Sequence, residues 1–344
     1  MAINRILSFL FCCVVFSLLQ GRAWASLMQA SRSMPVFGTV VNLKVCFEPD
    51  QSMALESALL QVWQRFGEIN ARVNTYDPSS DLSRLNAAGG QAVWLDQEVV
   101  DLLRASERLS LATQGTFNVA VGPLLELWRS CSRENRLPSR EEILAAKNLI
   151  GPAVWFVRDD GFVSLAPGSS VTLNAIVPGY AADVGAQILK QAGFSNFFVD
   201  AGGEIYAAGH NCQSRSWHVG VRDPGDTSGV LEIVEAKDIA VSTSGDYEKF
   251  FEIKGHRYSH IINPLTGYPV AGALSTTVIA PTALEADVWS TALCVLGPRI
   301  GVPIINALGD SYGVLFLVRS PSGKIERHST PGYDRRRIGK DRNF

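Results

Sequence analysis

From Asn196 to Ala280 the chain is a succession of short apolar runs: NFFVDAGGEIYAAGH, SWHVGVRDP, VLEIVEAKDIAVSTSG, YEKFFEIKGHRYSHIIN and LSTTVIA. β-Branched and aromatic residues fill them, and Gly, Asp, Asn, Ser and Pro separate them, as in strands joined by turns. No helix-length segment lies between one run and the next. Parallel pairing needs crossovers of about a dozen residues or more, so these strands must pair antiparallel. Helical periodicity is confined to other parts: about residues 51–72, DQEVVDLLRASERLSLATQG, SREEILAAKNLI, PGYAADVGAQILKQAG ending at Gly193, and 284–296. Strand GTVVNLKVCFE precedes the first helix, and VWFVRDDGFVSLAPG reads as a hairpin turning at DDG. NTYDPSSDLSRLNAAGG reads as a polar loop, while VPIINAL and YGVLFLVR have strand or core length. Helices segregated from hairpin-like strands predict an α+β fold, an antiparallel sheet flanked by helices.

With 344 residues, 47% of them hydrophobic, the chain can bury a sizeable core in one large domain or two. A formal charge of −2 offers no field to attract nucleic acid. The N-terminus predicts export: Arg5 precedes the apolar run ILSFLFCCVVFSLL, and AWA at 23–25 makes a small-x-small cleavage site. Residues 1–25 are therefore expected to be a signal peptide and 26–344 the mature domain. The run is shorter than the roughly 20 residues of a membrane span; an uncleaved anchor is the alternative. Cys46, Cys131, Cys212 and Cys294 remain in the mature chain, with no C-x-x-C and no metal spacing, and the sequence does not choose pairs. Cys294 lies in an apolar helix and reads as a buried free thiol. The basic tail YDRRRIGKDRNF reads as a frayed, solvated terminus, with contact to acidic lipid or a partner as the alternative.

LEADVWSTALCVLG, residues 284–297, sets Ala286, Trp289, Leu293 and Leu296 on related helical faces yet carries a carboxylate, Asp287. Ser290 and Thr291 follow at i+3 and i+4, so all three can share a face. One carboxylate with hydroxyls suits a hard cation such as Mg²⁺, whose shell substrate phosphates complete. Local capping, with the hydroxyls bonded back to the helix, is the blander account. In VDAGGEIYAAG, Asp200 and a Gly pair end a strand, which serves close backbone approach to a ligand or a plain tight turn. STSGDY is rich in hydroxyls. HIINPLTGYP places His260 at a strand end before a Pro/Gly turn, and His is the usual proton-transfer group near neutral pH. His210, His218, His256 and His328 form no cluster.

In order and spacing, FGTVVNLKV, NTYDPSSDLSRLN, TFNVAVGPLLELW, TLNAIVPGYAAD, VDAGGEI, STSGDYEKFFE, HIINPLTGYP and EADVWSTAL resemble the ApbE flavin transferases, which are FAD:protein FMN transferases. The resemblance covers nearly all of the mature chain. It implies a T-fold-like flavin transferase and Mg²⁺-dependent transfer of FMN from FAD to a Thr or Ser hydroxyl of an acceptor protein, releasing AMP. It assigns the cation to Asp287, Thr291 and the Ala175 backbone carbonyl, with Ser290 as an additional contact. FAD falls to Phe37, Tyr76, Thr116, Phe117, Asn118 and Ile261, and to the positions of Thr172 and Pro178. His260 becomes the candidate general base. Exported members of the family modify membrane redox pumps or respiratory flavoproteins, so the resemblance implies an acceptor facing the periplasm and association with the inner membrane.

Four positions depart from the family pattern, each losing a charge near the expected cofactor. Thr172 stands for an Asp, Pro178 for a Lys or Glu, and Asn118 and Asn263 for Asp. Asparagine keeps the hydrogen-bonding shape, whereas proline has no donor. Two alternatives stay open beside the transferase. One is an FAD pyrophosphatase giving FMN and AMP, against which the bulk of Tyr76 counts. The other is a non-catalytic flavin-binding protein, which Thr172 and Pro178 favour.

Overall fold

The computed structural model describes residues 27–151, 154–224, 229–245, 250–320 and 322–339. The expected signal peptide, residues 1–25, lies outside the described residues. Hairpin β1 (Met28–Val36) and β2 (Thr39–Phe47) leads to helices α1 (Ser52–Val73) and α2 (Asp81–Ala87), strand β3 (Val93–Trp94) and helices α3 (Gln97–Ala112), α4 (Gly122–Arg133) and α5 (Arg140–Lys147). A second hairpin, β4 (Trp155–Val157) and β5 (Phe162–Leu165), precedes α6 (Val177–Gln191). Strands follow: β6 (Phe197–Ala201), β7 (Ile205–Ala208), β8 (Trp217–Arg222), β9 (Val230–Ala236), β10 (Ile239–Gly245), β11 (Phe250–Ile253), β12 (His256–Ser259) and β13 (Ala273–Ala280). The chain closes with α7 (Ala283–Leu296), α8 (Pro298–Ala307), β14 (Gly313–Arg319), β15 (Ile325–Ser329), α9 (Pro331–Asp334) and β16 (Arg337–Ile338).

The expected antiparallel sheet is present. Its order is β1-β2-β6-β7-β10-β13-β14-β15, and every neighbouring pair runs antiparallel. One face packs on α1, α6 and α7 through residues such as Phe66, Ala182 and Trp289. The other face packs on a small sheet, β16-β9-β8, through Trp217, Val219 and Val234. Central strand β13 is therefore covered on both sides and buried at every residue, which is why ALSTTVIA shows no polar alternation. A second core joins α3 and β5 to residues 171–177. Helix α7 sits between the two cores: Ala286, Trp289 and Leu293 face the sheet, and Val288 and Ala292 face the second core. A helix enclosed on both sides reads apolar all round, and Asp287 lies inside it.

Several expectations need correction. The polar loop after α1 contains α2, started by the Ser80 hydroxyl accepting the Ser83 N–H at 3.0 Å. GPLLELWRSCSR and PRIGVPIINA are helices, α4 and α8, each admitting proline in its first turn. VLEIVEAKDIAVSTSG folds at Asp238, whose φ is 53°, so that β9 and β10 join different sheets. The basic tail is not frayed over its described part. Tyr333 is fully buried, Arg337 reaches Glu232 at 3.4 Å, and Arg335 reaches Asp310 at 2.7 Å. Cys46 on β2 is disulfide-bonded to Cys212 after β7, while Cys131 and Cys294 are buried thiols outside any disulfide.

Candidate active site

Helices α6 and α7 meet at Gly179. A Cβ there would lie 2.4 Å from the Ala283 carbonyl oxygen and 2.9 Å from Asp287 Cβ, so the contact admits only glycine. Pro178 precedes it in the first helical turn, where a missing N–H costs nothing. Gly179 is the third residue of α6, so its N–H has no acceptor within the helix. It donates to Asp287 Oδ2 at 3.1 Å. The Ala175 carbonyl receives no backbone hydrogen bond among the described residues and is left as an acceptor. Burial raises the Asp287 carboxyl above the ordinary carboxylate range; the Gly179 N–H opposes the rise and nearby Asp183 adds to it. Among the described residues no arginine or lysine neutralises Asp287.

The hydroxyls beside it are ordered by a chain of donors. Ser290 Oγ donates to the Asp287 carbonyl at 2.9 Å. That uses its only proton, so the hydroxyls of Ser244, at 2.8 Å, and Ser242, at 3.2 Å, donate to Ser290. With the Ser244 proton committed, the 3.2 Å contact between Ser244 Oγ and Thr291 Oγ1 must be donated by Thr291. The Thr291 lone pairs are then unclaimed. Ser290, fully buried and saturated by three partners, knits helix to sheet and has no capacity left for a cation. What remains is a carboxylate without a counter-charge, a hydroxyl with lone pairs to offer and, before α6, the Ala175 carbonyl that no backbone N–H claims among the described residues. That oxygen-only set fits Mg²⁺, with phosphate oxygens left to fill the shell. Among the described residues no three His, Cys, Asp or Glu side chains form a metal cage.

The same segment meets the expected cofactor residues. Thr172 N–H donates to the Val119 carbonyl at 2.8 Å, which brings 116–118 beside 172–178. Asn86, on α2, holds this segment by a paired amide: its Oδ1 accepts the Val171 N–H at 2.8 Å and its Nδ2 donates to the Val171 carbonyl at 2.9 Å. Phe117 is buried in the second core and Thr116 Oγ1 donates to the Thr113 carbonyl at 2.6 Å. A ring enclosed in the core cannot stack on a flavin, so contact from this segment falls to its backbone. Asn118 is also committed, accepting from the Ala120 N–H at 2.8 Å and donating to the Ile150 carbonyl at 2.9 Å. An aspartate could not make the second bond. Phe37 takes a positive φ of 56° in the β1–β2 turn, and its ring packs on Phe66 at 5.8 Å where the two cores join. Tyr76 stands apart, 86% exposed on the loop before α2.

His260 is half-buried just after β12. The Ser259 hydroxyl accepts the Ile261 N–H at 3.1 Å and turns the chain there. Asn263 Oδ1 then accepts the Leu265 and Thr266 N–H groups at 2.8 and 3.3 Å, so asparagine reproduces the turn an aspartate would cap. Ile261 packs with Ala273 and Cys294. Both also line a cavity of about 350 Å³ together with Asn263, Val270 and Arg319. Cys294 is one turn beyond Thr291 on α7 and donates to the Ser244 carbonyl at 3.5 Å, which ties the His260 turn to the hydroxyl cluster. Asp200, by contrast, caps its own tight turn, accepting the Gly202 and Gly203 N–H groups at 3.1 and 2.8 Å. Gly179, Asp183, Ser244 and Asn86 were not singled out from sequence. A glycine and an acid four residues apart on an alanine-rich helix were the available signal for the first two.

A sequence model of the ApbE family matches residues 37–316. An FAD:protein FMN transferase of Vibrio cholerae is 32% identical over 309 residues, covering 88% of this chain and 91% of the relative. One from Escherichia coli K12 is 34% identical over 259 residues, covering 70% and 74%. The structure of a flavin transferase ApbE from Vibrio cholerae superimposes with a TM-score of 0.79 at 30% identity, over 90% of this chain and 99% of the other. The ApbE protein of Thermotoga maritima gives the same TM-score of 0.79, also at 30% identity over 90% and 99%.

Proposed function

The chain belongs to the ApbE family, and from that membership we propose that it is an exported, Mg²⁺-dependent FAD:protein FMN transferase. One observation carries the metal-dependent part: Asp287 is buried without a cationic partner, beside a hydroxyl and a carbonyl that are both left as acceptors. Asp287, Thr291 and the Ala175 carbonyl would hold Mg²⁺, which would supply charge neutralisation at the diphosphate. The protein's own share is positioning. The acceptor hydroxyl oxygen bonds to the FMN phosphorus, the bond from that phosphorus to the bridging oxygen breaks, and AMP leaves with that oxygen. His260 takes the hydroxyl proton. The acceptor is a protein bearing a Thr or Ser in an accessible segment, in our reading a membrane redox or respiratory protein facing the periplasm. The Cys46–Cys212 bridge supports export, because disulfides persist in oxidising compartments.

The test is to incubate the mature protein with FAD and Mg²⁺, with and without an acceptor domain. AMP released only together with a flavinylated acceptor is expected. AMP without acceptor would mean a pyrophosphatase, and intact bound FAD would mean a binder. His260→Ala should slow transfer by roughly 10²–10⁴-fold, the usual worth of a positioned base, while FAD still binds. A normal single-turnover rate in that variant would remove His260 from proton transfer.

A further inference from the structure

Asp183 is the second acid of the α6–α7 contact, and it touches none of the residues assigned to the cation or to FAD. Its carboxylate accepts the Ala283 N–H at 2.8 Å and the Leu284 N–H at 2.9 Å. These are the first two residues of α7, whose N–H groups have no helical acceptor. Asp287 lies one turn further along α7 and returns the favour to α6 by accepting the Gly179 N–H. Gly179 and Asp183 are themselves one turn apart on α6. The two helices are thus joined by a reciprocal pair of carboxylate-to-backbone bonds, with Gly179 allowing the backbones to touch.

Building on the Mg²⁺ reading above, we propose that Asp183 is a positioning residue for the metal site: by clamping the start of α7 onto α6 it sets where Asp287 stands relative to the Ala175 carbonyl. The consequence is mechanical. Ala175 precedes α6 and Asp287 rides on α7, so the spacing of these two ligands is the spacing of the two helices. Octahedral Mg²⁺ sites tolerate little error in that spacing. If the Asp183 bonds are lost, apolar packing and the Gly179–Asp287 bond that the cation needs in register still join α7 to α6, but the start of α7 loses its polar anchor. Asp183 also adds negative charge close to the cation without contacting it. Outer groups of this kind are worth about 10–100-fold in metal affinity.

Mg²⁺ titrated calorimetrically into the mature protein, with ADP supplying diphosphate oxygens, reads the effect without turnover. Asp183→Ala should weaken Mg²⁺ binding roughly 10–100-fold. Asp183→Asn, with one oxygen for two donors, should fall between it and the parent, about several-fold weaker. Leu189→Ala, a buried apolar truncation on the same helix remote from the clamp, controls for general destabilisation and should leave Mg²⁺ affinity unchanged. Wild-type affinity in Asp183→Asn, or in a folded Asp183→Ala, overturns the proposal. So does equal weakening by Leu189→Ala. A parent protein that takes up no Mg²⁺ would instead overturn the metal reading on which the proposal stands.

Discussion

Glu232 and Asp287 are both buried acids, 8% and 5% exposed, and the protein treats them in opposite ways. Glu232, on β9, receives Arg327 at 2.7 Å, Arg337 at 3.4 Å and the Tyr333 hydroxyl at 3.1 Å. Its charge is matched from within, and the cluster ties β15 and α9 to the small sheet and β16 to its neighbour β9. Asp287 receives one backbone N–H, and the charge that acts on it is that of another acid, Asp183. Burying a carboxylate is costly unless it is paired. The Glu232 region is therefore complete as folded, whereas the α6–α7 contact leaves its acid without a counter-charge among the described residues, the place our proposal gives to a cation. A structural ion cluster and a functional site can hold the same side chain at the same depth; the partner tells them apart.

The contrast breaks most sharply at Asp287. Asp287→Asn keeps the shape and removes the charge, so FMN transfer at saturating Mg²⁺ should fall by ~10²–10³-fold or more. Melting temperature should hold or rise, because a desolvated charge beside Asp183 has gone. A variant that loses stability yet transfers FMN normally would erase the distinction. Glu232→Gln should do the reverse. It removes the Glu232 charge from Arg337 and from Arg327, which keeps Asp334 at 2.7 Å, and should destabilise the fold by about 3 kcal/mol, at the low end for breaking a buried pair because the arginines stay partly open to water. Urea unfolding measures the loss, and transfer by the folded protein should be unchanged.

Glu142 sharpens the comparison from the surface, with the smallest expected effect. It binds Arg136 through both oxygens at 2.8 Å and accepts the Ser139 N–H at 2.7 Å. Arg136 holds its carboxyl down at about 2, from an ordinary 4.5. A depressed acid means the unfolded chain binds more protons in that interval. The stability it contributes is complete above about pH 4.5 and is lost as pH falls toward 2. Glu142→Gln should therefore melt slightly below the parent at pH 7, show a shallower acid limb and converge with the parent as pH falls toward 2. An unchanged acid limb would mean that the exposed pair contributes nothing measurable.

Much of this was legible before the fold was known. The antiparallel sheet followed from strand-length runs with no room for crossovers, and helix α6 from its periodicity and Gly193, whose φ is 89°. The acid and hydroxyls of α7 stood out because they interrupt an otherwise apolar helix, with local capping as the blander account that Ser290 turned out to follow. Helix α2 was hidden because its seven residues are mostly polar and bury only Leu82 and Leu85. Helix α8 was hidden by Pro303 within a run of β-branched residues. The C-terminal arginines looked like a solvated tail because their partners, Glu232 and Asp310, lie far back in the chain.

Within the site, the sequence determined which residues could bind what. Asp287 and Thr291 share a helical face at i and i+4 whatever surrounds them, and the His260 turn follows from Asn263, Pro264 and Gly267. Those are short-range facts, settled by helix pitch and turn chemistry. Only the tertiary structure decided that Ser290 is spent on the sheet and that Phe117 is closed into the core. It alone showed that Gly179 gives its N–H to Asp287, and that Asp183 accepts from the start of α7 at the same contact. Each of these depends on where a second element lies. Residue 179 meets residue 287 across 108 positions, a distance at which local periodicity carries no information and close packing settles every contact.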